Sequence, residues 1–377
     1  MSMLYLDNAA TTPVRPEVRE AMAPFLAHEF GNPSSHHTVG ERASSALEDA
    51  RARVAAVLGM RRSDVVFTSG GTEANNLAVK GIALAALLER GARHLVTTPI
   101  EHSSVLESAR YLERMHGFTV SSVPVSGTGV VSADAVASAV HDDTALVSIA
   151  YANNEVGTVQ DLPALRAAAG RVPFHTDAVQ AAGWLPLAGL GVDAVSISGH
   201  KLGAPKGTGA LAVRGRVPLE PLLHGGGQER GRRSGTESVA GAVALATALE
   251  LAAAAQAADA ARVRARRDEL VARVLSLVPS ARLTGDPVRR LPGTASFTFE
   301  GVNGEAVLLE LERRGVISSS GSACAAGRTD PSHVLLALGI ARDVAQTALR
   351  LTLPHHWADH LSPVADAIAA SVAAVGR

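Results

Sequence analysis

Short runs of β-branched and aromatic residues alternate with alanine-rich stretches of helical period along most of the chain, which predicts an α/β fold with a mainly parallel sheet flanked by helices. Several of the runs end in small polar or glycine-containing turns, as strands do where they hand over to helices. After Gly235 the pattern changes to one long Ala-, Leu- and Arg-rich helix reaching about 278, followed by a second, shorter alternation. That break predicts a large domain over 15–255 and a smaller C-terminal α/β domain over 256–377, to which the N-terminal arm 1–14 returns.

The first expected strand, 65–68, is Val-Val-Phe-Thr and stops at Ser69-Gly70-Gly71; a helix is expected over 73–88, where Ala and Leu recur. Strand 94–97 and helix 103–116 follow, then strand 119–123 and helix 133–140. Strand 146–150, helix 162–169 and strands 172–176, 194–198 and 209–213 complete the large unit. Beyond the long helix, the expected order is strand 294–299, helix 304–313, a loop around Cys324, helix 331–338, strand 348–353 and a final helix. No internal repeat of solenoid period is present.

Composition narrows the functional classes. The chain has 377 residues, and 47% hydrophobic content is ample for a buried core. Its 35 basic and 36 acidic side chains leave a formal charge of −1, so no global attraction to nucleic acid or anionic membrane is implied. The first residues lack a basic region followed by an apolar one, so no signal peptide is expected. The apolar stretch 239–261 is interrupted by Glu250, Gln256 and Asp259 and reads as a helix of a soluble protein. One cysteine excludes an intrachain disulfide, and the expected location is the cytoplasm.

Three segments carry the chemistry. In Thr68-Ser69-Gly70-Gly71-Thr72-Glu73 a tight turn opens a helix, whose first N–H groups and Thr72 hydroxyl suit a phosphate. Neither the G-x-x-x-x-G-K-[ST] nor the G-x-G-x-x-G nucleotide motif is present. Strand 172–176 leads into Asp177, and strand 194–198 into Gly199-His200-Lys201. Parallel strands bring such ends to one edge of a sheet, where ligands bind. Pyridoxal phosphate needs a lysine for its Schiff base, an acid for its ring nitrogen and a phosphate cradle, and all three are here. Cys324 lies among small residues, in Ser318-Ser319-Ser320-Gly321-Ser322-Ala323-Cys324-Ala325-Ala326-Gly327, a setting that favours access to a reactive partner.

These segments belong to an ordered set. Tyr5-Leu6-Asp7-Asn8-Ala9-Ala10-Thr11-Thr12, Phe30-Gly31-Asn32-Pro33-Ser34-Ser35, Ser69-Gly70-Gly71-Thr72-Glu73-Ala74-Asn75-Asn76, Glu101-His102 and Ala152-Asn153-Asn154-Glu155-Val156-Gly157 come first. Asp177-Ala178-Val179-Gln180, Ser198-Gly199-His200-Lys201, His224-Gly225-Gly226-Gly227-Gln228-Glu229, Arg233-Ser234-Gly235-Thr236-Glu237 and the Cys324 segment follow. The set resembles that of the cysteine desulfurases, fold-type I pyridoxal-phosphate enzymes of the class V aminotransferase group.

The resemblance implies that Lys201 is the Schiff-base lysine, that Asp177 partners the pyridine nitrogen and that Gln180 contacts the phenolic oxygen. Gly71, Thr72, Ser198 and His200 would form the phosphate site, with Thr236 reaching the phosphate of a neighbouring subunit in a homodimer. His102 would stack on the ring and relay protons. Asn154 would lie beside ring and substrate, Arg350 would hold the substrate carboxylate, and Cys324 would take the sulfur of L-cysteine as a persulfide. A protein acceptor, in iron-sulfur assembly or tRNA thiolation, would then collect it. Selenocysteine lyase, another class V aminotransferase and a non-catalytic sulfur-transfer scaffold remain open as alternatives. The sequence departs from the family pattern after Arg350, at Leu351-Thr352-Leu353-Pro354-His355-His356-Trp357-Ala358-Asp359, which bears on the substrate entrance. His355, His356 and His360 are expected to be solvated at a helix start, and no metal site is expected. Gly71, where relatives often have alanine, is expected only to loosen a turn.

Overall fold

The computed structural model describes residues 3–321, 330–357 and 359–376. The chain opens with strand β1 (Leu4–Tyr5) and helices α1 (Pro16–Ala27) and α2 (Thr38–Leu58). Strand β2 (Val65–Thr68) leads into α3 (Gly71–Asn76), which passes through a π turn at Leu77–Gly81 into α4 (Ile82–Arg90). Then come β3 (His94–Thr97), α5 (Ser103–His116), β4 (Thr119–Ser122), α6 (Ala133–Ala139), β5 (Thr144–Ser148) and α7 (Leu162–Ala168). Strands β6 (Phe174–Asp177), β7 (Ala194–Ser198) and β8 (Gly209–Val213) precede the long helix α8 (Val239–Leu277). The remainder is β9 (Ala281–Leu283), β10 (Thr294–Phe299), α9 (Gly304–Arg313), β11 (Val316–Ile317), α10 (His333–Ala337), α11 (Arg342–Ala345), β12 (Leu349–Thr352) and α12 (Ser362–Val375).

The central sheet has seven strands in the order β2-β8-β7-β6-β5-β3-β4. All run parallel except β8, which is antiparallel to both β2 and β7. Its strands are buried on both faces except at the edge strand β4, and the buried ones read as short, mostly apolar runs. The parallel strands all end at the same edge, so Thr68, Thr97, Ser148, Asp177 and Ser198 close their strands there. β8 starts at that edge with Gly209, where a Cβ would sit 2.6 Å from the backbone of Gly70; only glycine fits.

A second sheet, β12-β10-β9, is antiparallel, with Arg350 opposite Ser296. The N-terminal arm joins this region: β1 pairs in parallel with β11, and Asp7 bridges to Thr352. Helix α8, 39 residues long, satisfies the length and composition of a membrane span. Its apolar first half is buried, however, against α1 and α2, as expected of a core helix. Arg51 on α2 is buried and donates to both carboxylate oxygens of buried Glu229, at 2.5 and 3.0 Å, and to the Val65 carbonyl at 2.9 Å. Glu229 also accepts from the Phe67 N–H at 3.1 Å, so one ion pair ties α2, β2 and the loop before α8.

Strands 65–68, 94–97, 194–198, 209–213 and 294–299 and helices 103–116 and 304–313 have their expected limits. Elsewhere the limits move: strand 146–150 lies at Thr144–Ser148, strand 172–176 at Phe174–Asp177, and helix 331–338 contracts to His333–Ala337. The helix expected over 73–88 begins at Gly71 and contains the π turn. The expectation that the histidines after Arg350 are solvated holds for His356 and His360, which are exposed, and fails for His355. His355 stacks on Trp184 with centroids 3.8 Å apart, and burial drives its pKa down to about 4. His360 instead meets Glu269 at 3.1 Å, and the final helix starts only at Ser362.

Candidate active site

The shared strand edge and the second sheet enclose a cavity of about 940 Å³. Its wall includes Gly71, Thr72, His102, Asn154, Asp177, Gln180, Ser198, His200, Lys201 and Arg350, residues expected to act together. Thr236 is not on that wall. It is exposed and lines a separate cavity of about 140 Å³ beside Arg233. Cys324 lies outside the described residues.

Asp177 closes β6 and is buried. Its Oδ2 accepts from Asn75 Nδ2 at 2.6 Å and its Oδ1 from the Val179 N–H at 2.9 Å. A carboxylate has about four lone-pair positions, so Asp177 retains capacity for a protonated ring nitrogen. Lys201 follows β7 in a short 3-10 turn, and its Nζ donates to the carbonyls of Ala9 and Ala10 at 2.5 and 2.6 Å. Gln180 Nε2 donates to the same Ala9 carbonyl at 3.1 Å. The arm 9–12 thus braces the lysine, and Thr12 also holds the His200 carbonyl with its N–H and Oγ1, both at 2.9 Å. Burial, then the charges of Lys201 and Lys206, depress the His200 pKa to about 4. A neutral ring with a nitrogen available suits a phosphate contact at physiological pH.

His102 caps α5: its Nδ1 accepts from the Ser104 N–H at 3.1 Å, which puts the proton of the neutral ring on Nε2. Behind it, Glu101 is fully buried and accepts from Thr98 Oγ1 at 2.7 Å and the Ala150 N–H at 2.9 Å. Burial outweighs those bonds and pushes its pKa up to about 8. Arg350 is buried on β12. Its Nη1 donates to the carbonyls of Asn154 at 2.8 Å and Gly321 at 3.1 Å, and its Nη2 to Asp7 Oδ1 at 2.6 Å. Three of its five N–H donors are thus used; the Nε N–H, buried without a partner among the described residues, and one Nη2 N–H remain.

Gly71 departs from its expected role. A Cβ there would lie 2.8 Å from Val179 Cγ2 and 3.2 Å from Ser198 Cβ, so the glycine permits close packing between the helix start and the strand ends. The unusual segment after Arg350 also sits elsewhere than expected. Its described residues do not line the main cavity, whereas His355 lines a small one of about 20 Å³ with Lys201, Gln180 and Trp184. Asp7, Asn75, Glu101, Glu155 and His333 were not singled out from the sequence. Asp7, Asn75, Glu101 and Glu155 lie within the ordered blocks, and that membership is their only signal; His333 lies outside any block.

The donor set fits pyridoxal phosphate. An amine, a hydrogen-bonded acid and a cluster of N–H and hydroxyl groups at a helix start all face one cavity, and the Gly71 packing keeps that start close to Ser198. Fold and site together define a pyridoxal-phosphate enzyme built on a mainly parallel α/β sheet. The sequence matches the family described as Aminotransferase class-V over residues 4–356, and the chain belongs to that family. It is 47% identical over 361 residues to an IscS-like cysteine desulfurase of Mycobacterium tuberculosis, covering 94% of this chain and 92% of the relative. It is 45% identical over 354 residues to cysteine desulfurase IscS of Methanosarcina thermophila, covering 93% and 87%. Among solved structures, a NifS-like protein superposes with a TM-score of 0.89 at 38% identity, covering 98% of each chain.

Proposed function

We propose that the protein is a cysteine desulfurase, which takes sulfur from L-cysteine, releases L-alanine and carries the sulfur as a persulfide on Cys324. The observation that carries the reading is the single cavity shared by Lys201, Asp177, His102 and Arg350, with Gly321, the described residue that leads toward Cys324, on its wall. When bound, pyridoxal phosphate supplies an electron sink for bonds broken at the substrate Cα. Asp177 would face the ring nitrogen, and Thr72, Ser198 and His200 would hold the phosphate. Lys201, whose Nζ donates to the Ala9 and Ala10 carbonyls, would be the point of covalent attachment. Arg350 receives the substrate carboxylate, and His102 exchanges protons through Nε2.

The atoms balance without an outside oxidant or reductant. The substrate C–S bond breaks, an S–S bond forms at Cys324, and the products are alanine and the enzyme persulfide. An ordinary thiol, with a pKa of about 8.5, is only slightly ionised at neutral pH, so a base in the cavity must take its proton. Exposed Thr236, outside the cavity of its own chain, supports a homodimer in which it serves the partner site. We take 15–255 as the cofactor domain and 256–377 with 1–14 as the small domain; the pairing of β1 with β11 supports this. A protein acceptor then collects the sulfur in the cytoplasm. The test is alanine formation from L-cysteine by cofactor-loaded protein: it should occur, and Cys324→Ser should abolish it while leaving the visible absorption of the cofactor in place. A loaded wild-type protein that forms no alanine would contradict the reading.

A further inference from the structure

Glu155 is a buried acid on the cavity wall to which the reaction above gives no task. Its backbone is fixed: the N–H groups of Glu155 and Val156 both donate to Asn153 Oδ1 at 2.9 Å, and Asn153 Nδ2 donates to the Ile100 carbonyl at 2.8 Å. Its carboxylate Oε2 accepts from Ser332 Oγ. The same hydroxyl accepts from the Leu335 N–H at 3.2 Å as the N-cap of α10, so its one proton is committed to Glu155. On the other side, a Cβ built on Gly321 would lie 3.4 Å from Glu155 Oε2 and 3.7 Å from its Cβ. Gly321, at φ +90°, therefore packs directly on this side chain while Arg350 Nη1 holds its carbonyl. The charged and titratable groups that face Glu155 are His333 on α10, Arg350 on β12 and His102 ahead of α5. Burial raises its pKa, which favours the neutral carboxyl. In the sequence, Cys324 falls between Gly321 and Ser332.

We propose that Glu155 is a positioning residue for sulfur transfer: its side chain holds Gly321 and Ser332, which bracket Cys324 in the sequence, to the cavity wall beside Arg350. The inference rests on the desulfurase reading. It concerns the placement of the thiol and not the cofactor, so glutamine, which has the shape of a neutral carboxyl and accepts from Ser332, should replace it.

The test compares cofactor-loaded wild type with Glu155→Ala, Glu155→Gln and Ser332→Ala. Three quantities are read: kcat and KM for alanine release, the cofactor absorption spectrum, and the rate at which iodoacetamide alkylates the protein without substrate. With a single cysteine in the chain, alkylation reports on Cys324 alone. Loss of one buried hydrogen bond to a carboxyl should lower kcat about tenfold in Glu155→Ala and Ser332→Ala, leave KM within about twofold and speed alkylation about threefold. Glu155→Gln should stay within about threefold of wild type in kcat. Wild-type kcat in Glu155→Ala would overturn the proposal, as would loss of the cofactor spectrum, which would place Glu155 in cofactor binding. So would a Glu155→Gln as poor as Glu155→Ala, which would make the carboxyl a proton-transfer group. Should Glu155→Ala fail to fold, Ser332→Ala and Glu155→Gln decide by the same readings. Should the wild type form no alanine, the functional reading fails on its own, and alkylation still decides this one: equal rates in all variants would overturn it.

Discussion

Replacing Gly71 by alanine sets two effects of opposite sign against each other. At the first position of a helix, alanine gains propensity and restricts the unfolded chain, worth up to about 1 kcal/mol. The added Cβ, however, would lie 2.8 Å from Val179 Cγ2 and 3.2 Å from Ser198 Cβ. Val179 is β-branched and stiff at χ1, and its N–H is bonded to Asp177 Oδ1 at 2.9 Å, so relief would disturb the acid as well. Overpacking of this kind costs about 1–3 kcal/mol, and its mid-range value of about 2 kcal/mol less the full gain leaves a net destabilisation of about 1 kcal/mol. Cofactor affinity should fall by about fivefold to tenfold, because Ser198 and Asp177 shift together. The assay is the denaturant midpoint of the cofactor-free protein with an equilibrium titration of pyridoxal phosphate. Val179→Ala in the same chain should restore about 1 kcal/mol, a coupling that a double-mutant cycle measures. A Gly71→Ala variant as stable as wild type, or one whose loss is additive with Val179→Ala, would refute the close-packing argument.

Two further expectations concern stability. Arg51→Ala should cost about 3–5 kcal/mol because it leaves Glu229 buried without its ion-pair partner. Arg53→Ala, which breaks the more exposed pair with Glu250, should cost less than about 1 kcal/mol, and denaturant midpoints compare the two. His175 on β6 is fully buried between Ser148 Oγ and Ser196 Oγ, both at 2.9 Å, and burial lowers its pKa from 6.5 to about 3. The folded state therefore disfavours the proton: the contribution is complete above pH 6.5 and is lost as pH falls from there toward about 3. Midpoints measured across that range should fall less steeply in His175→Gln than in wild type, and parallel slopes would refute the assignment.

The buried strands of the seven-stranded sheet were legible because burial writes them as short β-branched or apolar runs with a sharp stop, as in Val65-Val66-Phe67-Thr68 before Ser69-Gly70. Helices α1 and α2 were not read. α1 begins at Pro16 and contains Pro24, while the buried stripe of α2, Ala43, Leu47, Ala50, Val54 and Leu58, is separated by charged residues. The antiparallel direction of β8 and the pairing of β1 with β11 depend on long-range contacts that local pattern does not encode. At the site, the gathering of Lys201, Asp177 and the Gly71-Thr72 turn followed from strands ending at one edge. The engagement of Arg350 by Asp7 did not, since the two are 343 positions apart and meet only through the returning arm. The stack of His355 on Trp184 was equally hidden: adjacent histidines read as solvated, and the aromatic partner comes from a distant turn.

The central claim is that Cys324 carries sulfur taken from L-cysteine at the cavity of Lys201. The most direct measurement is a single turnover of the cofactor-loaded protein with one equivalent of L-cysteine, followed by mass spectrometry of the peptide containing Cys324. The expected result is a gain of one sulfur atom on that peptide, removed by a thiol reductant, with an equal amount of alanine released and neither product in Lys201→Ala. Alanine without added sulfur on Cys324, or equal alanine from Cys324→Ser, would contradict it.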